Sequence, residues 1–323
     1  MELKKIKATN WNKIEDPLDL EVWHRLNGNF WLPEKVPLSN DLKTWNNLTD
    51  AEKLATRKVF AKLTLLDTVQ GTVGAPTIAK AAITPHEEAT MYQIAYMEGV
   101  HAKSYSSIFS TLCSTEEIDE IFRWVEEDEI VQTQANIILD AYHHAEEGPK
   151  KELLAKAASV LLESFLFYSG FYLPFWFSSR GKLTNTADII RLILRDEGVH
   201  GFYIGYKYQQ GVRSLPEEDQ RYLEDVVSNL ALHLYKLEAR YAEQVYDEIG
   251  WTENVKVYLR YNMNKALQNL GYDQMFPDNQ TRVEASILSS MTIDADEVHD
   301  FFSGSGSSYV IGDVEDTTDD DWA

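Results

Sequence analysis

The chain has 323 residues, 44% of them hydrophobic, which can bury a substantial core as one large domain or two modest ones. Its formal net charge of −22 argues against binding to nucleic acid or to an anionic membrane, because both need clustered Lys and Arg. Cys113 is the single cysteine, so no intramolecular disulfide can form and a reducing compartment is expected.

Neither a signal peptide nor a membrane span is predicted. Residues 1–7 lack the apolar stretch of a signal peptide. The most apolar run, residues 160–177, contains Glu163 and is interrupted by Gly170 and Pro174. It also falls short of the about 20 residues that a span needs, so it predicts a buried core helix. We therefore expect a soluble, cytoplasmic protein.

Helix start signals recur along the chain, whereas alternating β patterns are scarce and no Asn-Gly or Asp-Gly pair joins two such patterns into a hairpin. Capping patterns predict helices from Thr49 through Asp67, from Thr84 to about Thr111, from Ser114, and from Ser214 to about Ile249. Further helical segments are predicted near residues 150–176, 186–210 and 253–269. The fold class is therefore predicted to be all-α.

The composition changes near Phe302. Residues 303–308 form a Ser/Gly linker, and the acidic segment 313–321 cannot form a core. Eleven acids and no Lys or Arg lie in the last 41 residues, which is typical of an interaction tail. We predict one helical domain, residues 1–301, and a flexible acidic tail, residues 302–323. A merely solubilising terminus is the alternative, and the tail aromatics Tyr309 and Trp322 weigh against it.

Two Glu-x-x-His segments, Glu98 to His101 and Glu197 to His200, predict metal ligands. Residues three apart share one face of a helix, so each segment can offer a carboxylate and an imidazole to one ion. The same spacing in Glu21 to His24 has no matching partner and is interpreted as a surface face.

Two lone carboxylates, Asp67 and Glu163, lie in apolar stretches without a neighbouring positive charge. Leaving either one unpaired in a core would cost several kcal/mol, so a metal is an attractive partner. Asp67 precedes Glu98 by 31 residues and Glu163 precedes Glu197 by 34, as in two helix pairs related by an approximate twofold axis.

Together these residues match the ligand set of ferritin-like di-iron or di-manganese bundles. Four carboxylates and two imidazoles suit Fe or Mn, whereas structural zinc favours thiolates and fewer ligands. The alternative has Asp67 and Glu163 capping helices or pairing with Arg, and both histidines as ordinary core residues. The predicted ligands of two metal ions per chain are Asp67, Glu98, His101, Glu163, Glu197 and His200.

Tyr105 follows His101 by four residues, one turn along the same helix face, so it is expected near the metals. A buried tyrosine with a hydrogen-bonded hydroxyl is the alternative. Phe167, Phe171 and Ile193 could wall a dry pocket beside the ligands or simply belong to the core.

The segments around these residues resemble the signature segments of ribonucleotide reductase small subunits, and they are closest to the class Ib branch. The likeness extends over essentially the whole chain. The segments that carry it are 29–34, 97–106, 162–170, 195–200, 260–267 and 299–310.

By this resemblance, the six ligands hold the metals and Tyr105 is the radical tyrosine. Trp31, Asp196 and Tyr309 map to the path that carries the radical out of the subunit. The role of Asp196 is physically sensible, because a carboxylate bonded to the far nitrogen of a metal-bound His is common.

The resemblance also implies the function and the partners. The expected protein is the small subunit of ribonucleoside-diphosphate reductase, a homodimer that passes its radical to a large catalytic subunit through the C-terminal tail. A flavodoxin-like activator is implied if the site uses manganese. The alternatives are a ferritin-like di-iron oxygenase acting on a small molecule, with a substrate cavity beside the metals, and a metal-storage or structural bundle.

Overall fold

The computed structural model describes residues 8–291, and this part of the chain is built from helices without a strand. The all-α prediction is confirmed. The predicted boundary between residues 301 and 302 lies outside the described residues. The α-helices, in chain order, are α1 Pro17–Gly28, α2 Leu42–Asn46, α3 Asp50–Val69, α4 Ala75–Lys80, α5 Pro85–Leu112, α6 Thr115–Glu127, α7 Glu129–His143, α8 Pro149–Leu161, α9 Tyr168–Ser178, α10 Thr184–Arg213, α11 Glu217–Tyr246, α12 Thr252–Asn269 and α13 Ala285–Ser290.

Three of the predicted helix starts are formed by the expected side-chain caps. Thr49 and Ser114 make reciprocal capping boxes with Glu52 and Glu117 at the beginnings of α3 and α6. The hydroxyl of Thr84 accepts from the backbone N–H of Glu87 at the start of α5. The sequence predicts these helix starts correctly because each capping residue and its partner lie within one helical turn.

The predicted start at Ser214 is wrong. Ser214 ends α10, where its hydroxyl donates to the carbonyl of Gly211, and α11 begins at Glu217 without a side-chain cap. The far end of α11 is also earlier than predicted. The backbone N–H of Trp251 donates to the carbonyl of Tyr246, and Gly250 has a φ of +74°. This backbone turn ends the helix.

The apolar segment Pro149–Ser178 is long and apolar enough to cross a membrane, but 89% of its most apolar window is buried inside the protein. It consists of α8 and α9 joined by a π-helical turn, Leu162–Leu166. A second π turn, Gln70–Gly74, follows α3. Such turns add a residue to a helix and often occur at functional sites.

The helices that carry the predicted ligands pack in pairs. Helix α3 packs against α5, α8 packs against α10, and α5 and α10 also meet. This arrangement agrees with the two helix pairs expected from the sequence spacing. The pairing brings the predicted ligand faces towards one place in the core.

A buried ion pair joins α3 to α11 away from the predicted ligands. Both carboxylate oxygens of Glu238 accept from the ammonium of Lys62, at 2.6 and 2.5 Å, and both side chains are at most 1% exposed. Gln134 on α7 donates to the same carboxylate, and the Lys62 ammonium lies over the ring of Tyr241. Burial lowers the pKa of Lys62, so the lysine depends on Glu238 to remain charged.

Removing one member of this pair should therefore destabilise the fold strongly. We expect Glu238→Ala to lower the free energy of unfolding by about 3–5 kcal/mol, because it leaves the Lys62 charge buried and unpaired. Urea denaturation of the metal-free protein measures the effect. Lys62→Met combined with Glu238→Gln keeps an oxygen acceptor for Gln134 and should cost clearly less. Equal losses in the single and double variants would contradict this account.

Candidate metal centre

The six predicted ligands come together in the middle of the bundle. Asp67 lies near the end of α3, Glu98 and His101 on α5, Glu163 in the π turn after α8, and Glu197 and His200 on α10. Each of these side chains is at most 1% exposed. The structure thus places all six where the spacing and the apolar context predicted them.

The ligand atoms form two overlapping groups, in each of which the atoms lie within 4.8 Å of one another. Glu98 and Glu197 belong to both groups, so each could bridge two ions. The first group is Asp67, Glu98, His101 and Glu197, and the second is Glu98, Glu163, Glu197 and His200. This is a dinuclear arrangement with one imidazole for each metal position.

The two imidazoles face the carboxylates through Nδ1. His101 Nδ1 is 3.0 Å from Glu197 Oε1, and its far nitrogen, Nε2, is 3.2 Å from Asp196 Oδ2. His200 Nδ1 is 2.8 Å from Glu98 Oε1 and 3.3 Å from Glu197 Oε2. Since Asp196 holds Nε2 of His101, Nδ1 is the nitrogen left for a metal.

Many buried polar atoms of this cluster have no partner in hydrogen-bonding geometry, although several lie close to one another, and this is rare in a folded protein. They are Asp67 Oδ1 and Oδ2, both oxygens of Glu98 and Glu197, Glu163 Oε2, His101 Nδ1, and both ring nitrogens of His200. Metal coordination would satisfy them. The residues therefore fit a pair of Mn or Fe ions, for which carboxylates and imidazoles are suitable ligands.

The electrostatics point the same way. Burial, reinforced by neighbouring carboxylates, raises the pKa of Asp67 and of Glu197 well above the usual range. Burial alone would also raise the pKa of Glu98, but His101 and His200 beside it lower that pKa to about 2. Four carboxylates would carry four negative charges, which two divalent cations would balance.

Tyr105 is fully buried on α5, and its hydroxyl has no hydrogen-bond partner among the described residues. Burial, and then the negative charge of Asp67, raises the pKa of this hydroxyl well above its usual range. Phe60 stacks on the phenol ring with a centroid separation of 5.6 Å. Tyr105 follows His101 by one turn of α5, so it shares the helix face that carries the candidate ligands, and Phe60 covers its ring.

Trp31 and Asp196 form a continuous chain of contacts with His101. The indole N–H of Trp31 donates to Asp196 Oδ2 at 2.7 Å, and the same oxygen is 3.2 Å from His101 Nε2. Arg195 anchors the loop before Trp31 by donating to the carbonyl of Asn29 at 2.6 Å. Tyr309, the third residue predicted on this path, lies outside the described residues.

The remaining sequence predictions are also placed. Glu21 and His24 lie exposed on α1, which agrees with their interpretation as part of a surface face. Phe167, Phe171 and Ile193 are fully buried members of the main hydrophobic core.

Sequence reasoning missed three polar residues next to Glu163. Gln70 donates to the Glu163 carboxylate and to the hydroxyl of Ser159, and Tyr142 donates to Gln70. Gln70 stands one turn after Asp67 on the same helical segment, and a polar residue at that spacing was a usable signal. Nothing comparable in the sequence marks Ser159 or Tyr142.

Two large surface grooves are formed by the described residues. One, of about 560 Å³, lies between α7, α8 and α11. The other, of about 570 Å³, lies between α1 and α5 and reaches Trp31 and Asp196. None of the six candidate ligands lines either groove, so these two grooves do not provide the cavity beside the metals that an oxygenase would need.

Comparison with known proteins places the chain in a family. Residues 8–283 match the family model described as ribonucleotide reductase, small chain. Ribonucleoside-diphosphate reductase subunit beta nrdF2 of Mycobacterium tuberculosis is 58% identical, over 99% of this chain and 97% of the relative. Ribonucleoside-diphosphate reductase 2 subunit beta of Escherichia coli is 54% identical, over 100% of this chain and 99% of the relative.

A solved structure agrees. The crystal structure of dimanganese(II)-NrdF from Streptococcus sanguinis superposes with a TM-score of 0.85 at 48% identity, covering 89% of this chain and all of that one. The resemblance inferred from the motifs, including its class Ib character, is confirmed. Because the family model and both relatives span most of its length, the chain belongs to the ribonucleotide reductase small-chain family.

Proposed function

We propose that this chain is the radical-generating small subunit of a ribonucleoside-diphosphate reductase. The observation that carries the proposal is the buried set of four carboxylates and two imidazoles with a fully buried tyrosine beside it. Membership of the family and the dimanganese neighbour support it. The chain acts with a large catalytic subunit, which reduces ribonucleotides to deoxyribonucleotides.

In this proposal the six residues hold two Mn or Fe ions. Asp67 and His101 would hold one ion and Glu163 and His200 the other, with Glu98 and Glu197 within reach of both. The chemistry that such a pair supplies when bound is one-electron oxidation, after reaction with dioxygen or an oxidant made from it. A flavodoxin-like activator is the proposed source of that oxidant for manganese.

Tyr105 is the proposed donor of the electron and the store of the radical. Its position on α5, one turn after His101, keeps the phenol beside the cluster. Full burial and the stacked ring of Phe60 exclude water and reductants from it, which favours a long-lived radical. Because this hydroxyl has no hydrogen-bond partner among the described residues, its proton must pass to a base at the cluster, and the Asp67 carboxylate, whose charge acts most strongly on the hydroxyl, is the proposed acceptor.

The radical leaves the subunit, we propose, through His101, Asp196 and Trp31. The hydrogen bonds along this chain, 3.2 and 2.7 Å, couple the cluster to an indole that is 7% exposed at the edge of the α1–α5 groove. Tyr309 in the tail would take the next step towards the large subunit. The acidic tail would itself bind that subunit, with Trp322 as an apolar contact.

Further parts of the proposal concern assembly and location. The protein is proposed to be a homodimer and to work in the cytoplasm. Its net charge of −22 gives no support to a role on nucleic acid or on an anionic membrane.

Loss of a ligand should remove metal and radical together. We expect Glu163→Ala and His200→Ala each to lower bound metal well below two ions per chain and to abolish the tyrosyl signal. Metal analysis and electron paramagnetic resonance after exposure to oxygen or the activator measure both. Glu21→Ala and His24→Ala, with the same spacing on the exposed face of α1, are the controls and should change neither. Full metal content and radical yield in the His200 variant would refute the ligand assignment.

Replacing the radical tyrosine should separate radical storage from metal binding. Tyr105→Phe keeps the ring but removes the ionisable hydroxyl, so two metals should still bind while the tyrosyl signal and nucleotide reduction are lost. Tyr246→Phe is the matched control, because Tyr246 is equally buried but donates to the carbonyl of Ser169. A signal that persists in Tyr105→Phe would assign the radical to another residue.

The tail should affect binding and turnover separately. Deletion of residues 313–323 should leave metal loading and the Tyr105 radical intact but weaken binding to the large subunit. Tyr309→Phe should leave radical and binding intact yet stop nucleotide reduction, because it interrupts electron transfer. Affinity and turnover are measured for both variants. A solubilising tail predicts no loss in either, and normal turnover in Tyr309→Phe would exclude that residue from the path.

A further inference from the structure

Gln70 links the two halves of the candidate centre. It stands at the start of the π turn that follows α3, three residues after Asp67, yet its side chain reaches across to the other helix pair. Its amide nitrogen donates to Glu163 Oε1 at 2.5 Å and to the hydroxyl of Ser159 at 2.7 Å. Its amide oxygen accepts from the hydroxyl of Tyr142 at 2.6 Å. Gln70 and Ser159 are fully buried, and Tyr142 is 2% exposed.

The chemistry of these groups allows one orientation of the amide. A carboxylate can only accept hydrogen bonds, so the nitrogen of Gln70 must face Glu163, and both of its protons are used. The amide oxygen then faces Tyr142, whose hydroxyl must be the donor. Burial raises the pKa of Tyr142 well above its usual range, which keeps that donor protonated. Both amide protons and the amide oxygen of Gln70 are therefore used, which fixes the orientation of the amide.

The hydrogen bond from Gln70 occupies one carboxylate oxygen of Glu163 and leaves the other oxygen without a hydrogen-bond partner. Oε1 is held by Gln70, whereas Oε2 has no hydrogen-bond partner and lies 3.5 Å from His200 Nδ1. Asp67 differs, because both of its oxygens are without a partner. Asp67 and Glu163 are the two carboxylates that each belong to only one ligand group. They are thus not equivalent, although the spacing of the ligands in the sequence suggests a twofold relation.

We infer that Gln70 is a positioning residue that limits Glu163 to one metal-binding oxygen, with Tyr142 and Ser159 holding the amide in place. The inference rests on the proposed function, since it requires Glu163 to be a ligand. Residues that orient a ligand in this way commonly change metal affinity or activity by about 10–100-fold when they are replaced.

Gly74 in the same π turn provides independent support. A Cβ at this position would lie 2.2 Å from the amide oxygen of Gln70 and 2.7 Å from the ring of Tyr142. Only a glycine leaves room for the two side chains to meet. Gly74→Ala is therefore expected to disturb the same hydrogen bonds without touching a ligand.

The chain contains a matched control for the loss of such a bond. Gln134 is also fully buried, and its amide also donates to a carboxylate at 2.5 Å, but that carboxylate is Glu238 of the ion pair with Lys62. Gln70→Met and Gln134→Met remove the same kind of contact from the same bundle. A purely structural role for Gln70 predicts the same outcome for both.

The experiment measures Mn(II) binding to metal-free, full-length protein, together with the electron paramagnetic resonance spectrum of the bound Mn(II). We expect Gln70→Met to weaken binding at one position about tenfold and to alter the spectrum. Gly74→Ala should change both in the same direction. Gln134→Met should leave both unchanged. Thermal unfolding of the metal-free variants tests whether each is folded, and if Gln70→Met is not, Tyr142→Phe carries the test with the same expected direction.

Glu163→Ala separates the two hypotheses. If it binds two Mn(II) as tightly as the unaltered protein, the proposed metal centre is wrong. If it loses Mn(II) while Gln70→Met keeps the original affinity and spectrum, only the positioning role is overturned. An equal change in Gln134→Met and Gln70→Met would overturn it as well, because the effect would then be general destabilisation.

Discussion

The structure depends on the burial of four carboxylates and two imidazoles at one place in an apolar bundle. Each ionised group would cost several kcal/mol in such a core if it stayed unpaired. Their oxygens and nitrogens nevertheless remain largely without hydrogen-bond partners, while the rest of the centre is tightly packed. A pair of divalent cations would balance the buried negative charges and would bind the oxygens and nitrogens that lack hydrogen-bond partners. The packing of α3 on α5 and of α8 on α10 is what maintains this site.

The cluster has different surroundings at His101 and at Glu163. On one side Asp196 connects His101 to Trp31, and from there to a surface groove, so this end faces outward. On the other side Gln70 fixes Glu163 within the interior. Tyr105 lies against the cluster in a pocket closed by Phe60. In the proposed function, oxidation, storage and exit of the radical would thereby be kept apart within one bundle.

Sequence reasoning succeeded where the physical signal is local. The capping boxes at Thr49 and Ser114 lie within one helical turn, and each Glu-x-x-His pair lies on one helix face, so spacing alone identified them. The start assigned to Ser214 failed for the same reason. Its pattern was local and correct in form, but that residue was already used to end the preceding helix. A pattern of four residues does not show whether its first residue starts the following helix or ends the preceding one.

The sequence by itself determined the all-helical class and singled out the six candidate ligands and the tyrosine expected beside them, because buried charge and helical spacing are properties of single segments. Only the tertiary structure decided how these segments meet. Trp31 and Asp196 are separated by 165 residues, and Gln70 and Glu163 by 93, so no local pattern joins them. Their contacts follow from the packing of whole helices and from the two π turns, which redirect the side chains that orient the ligands.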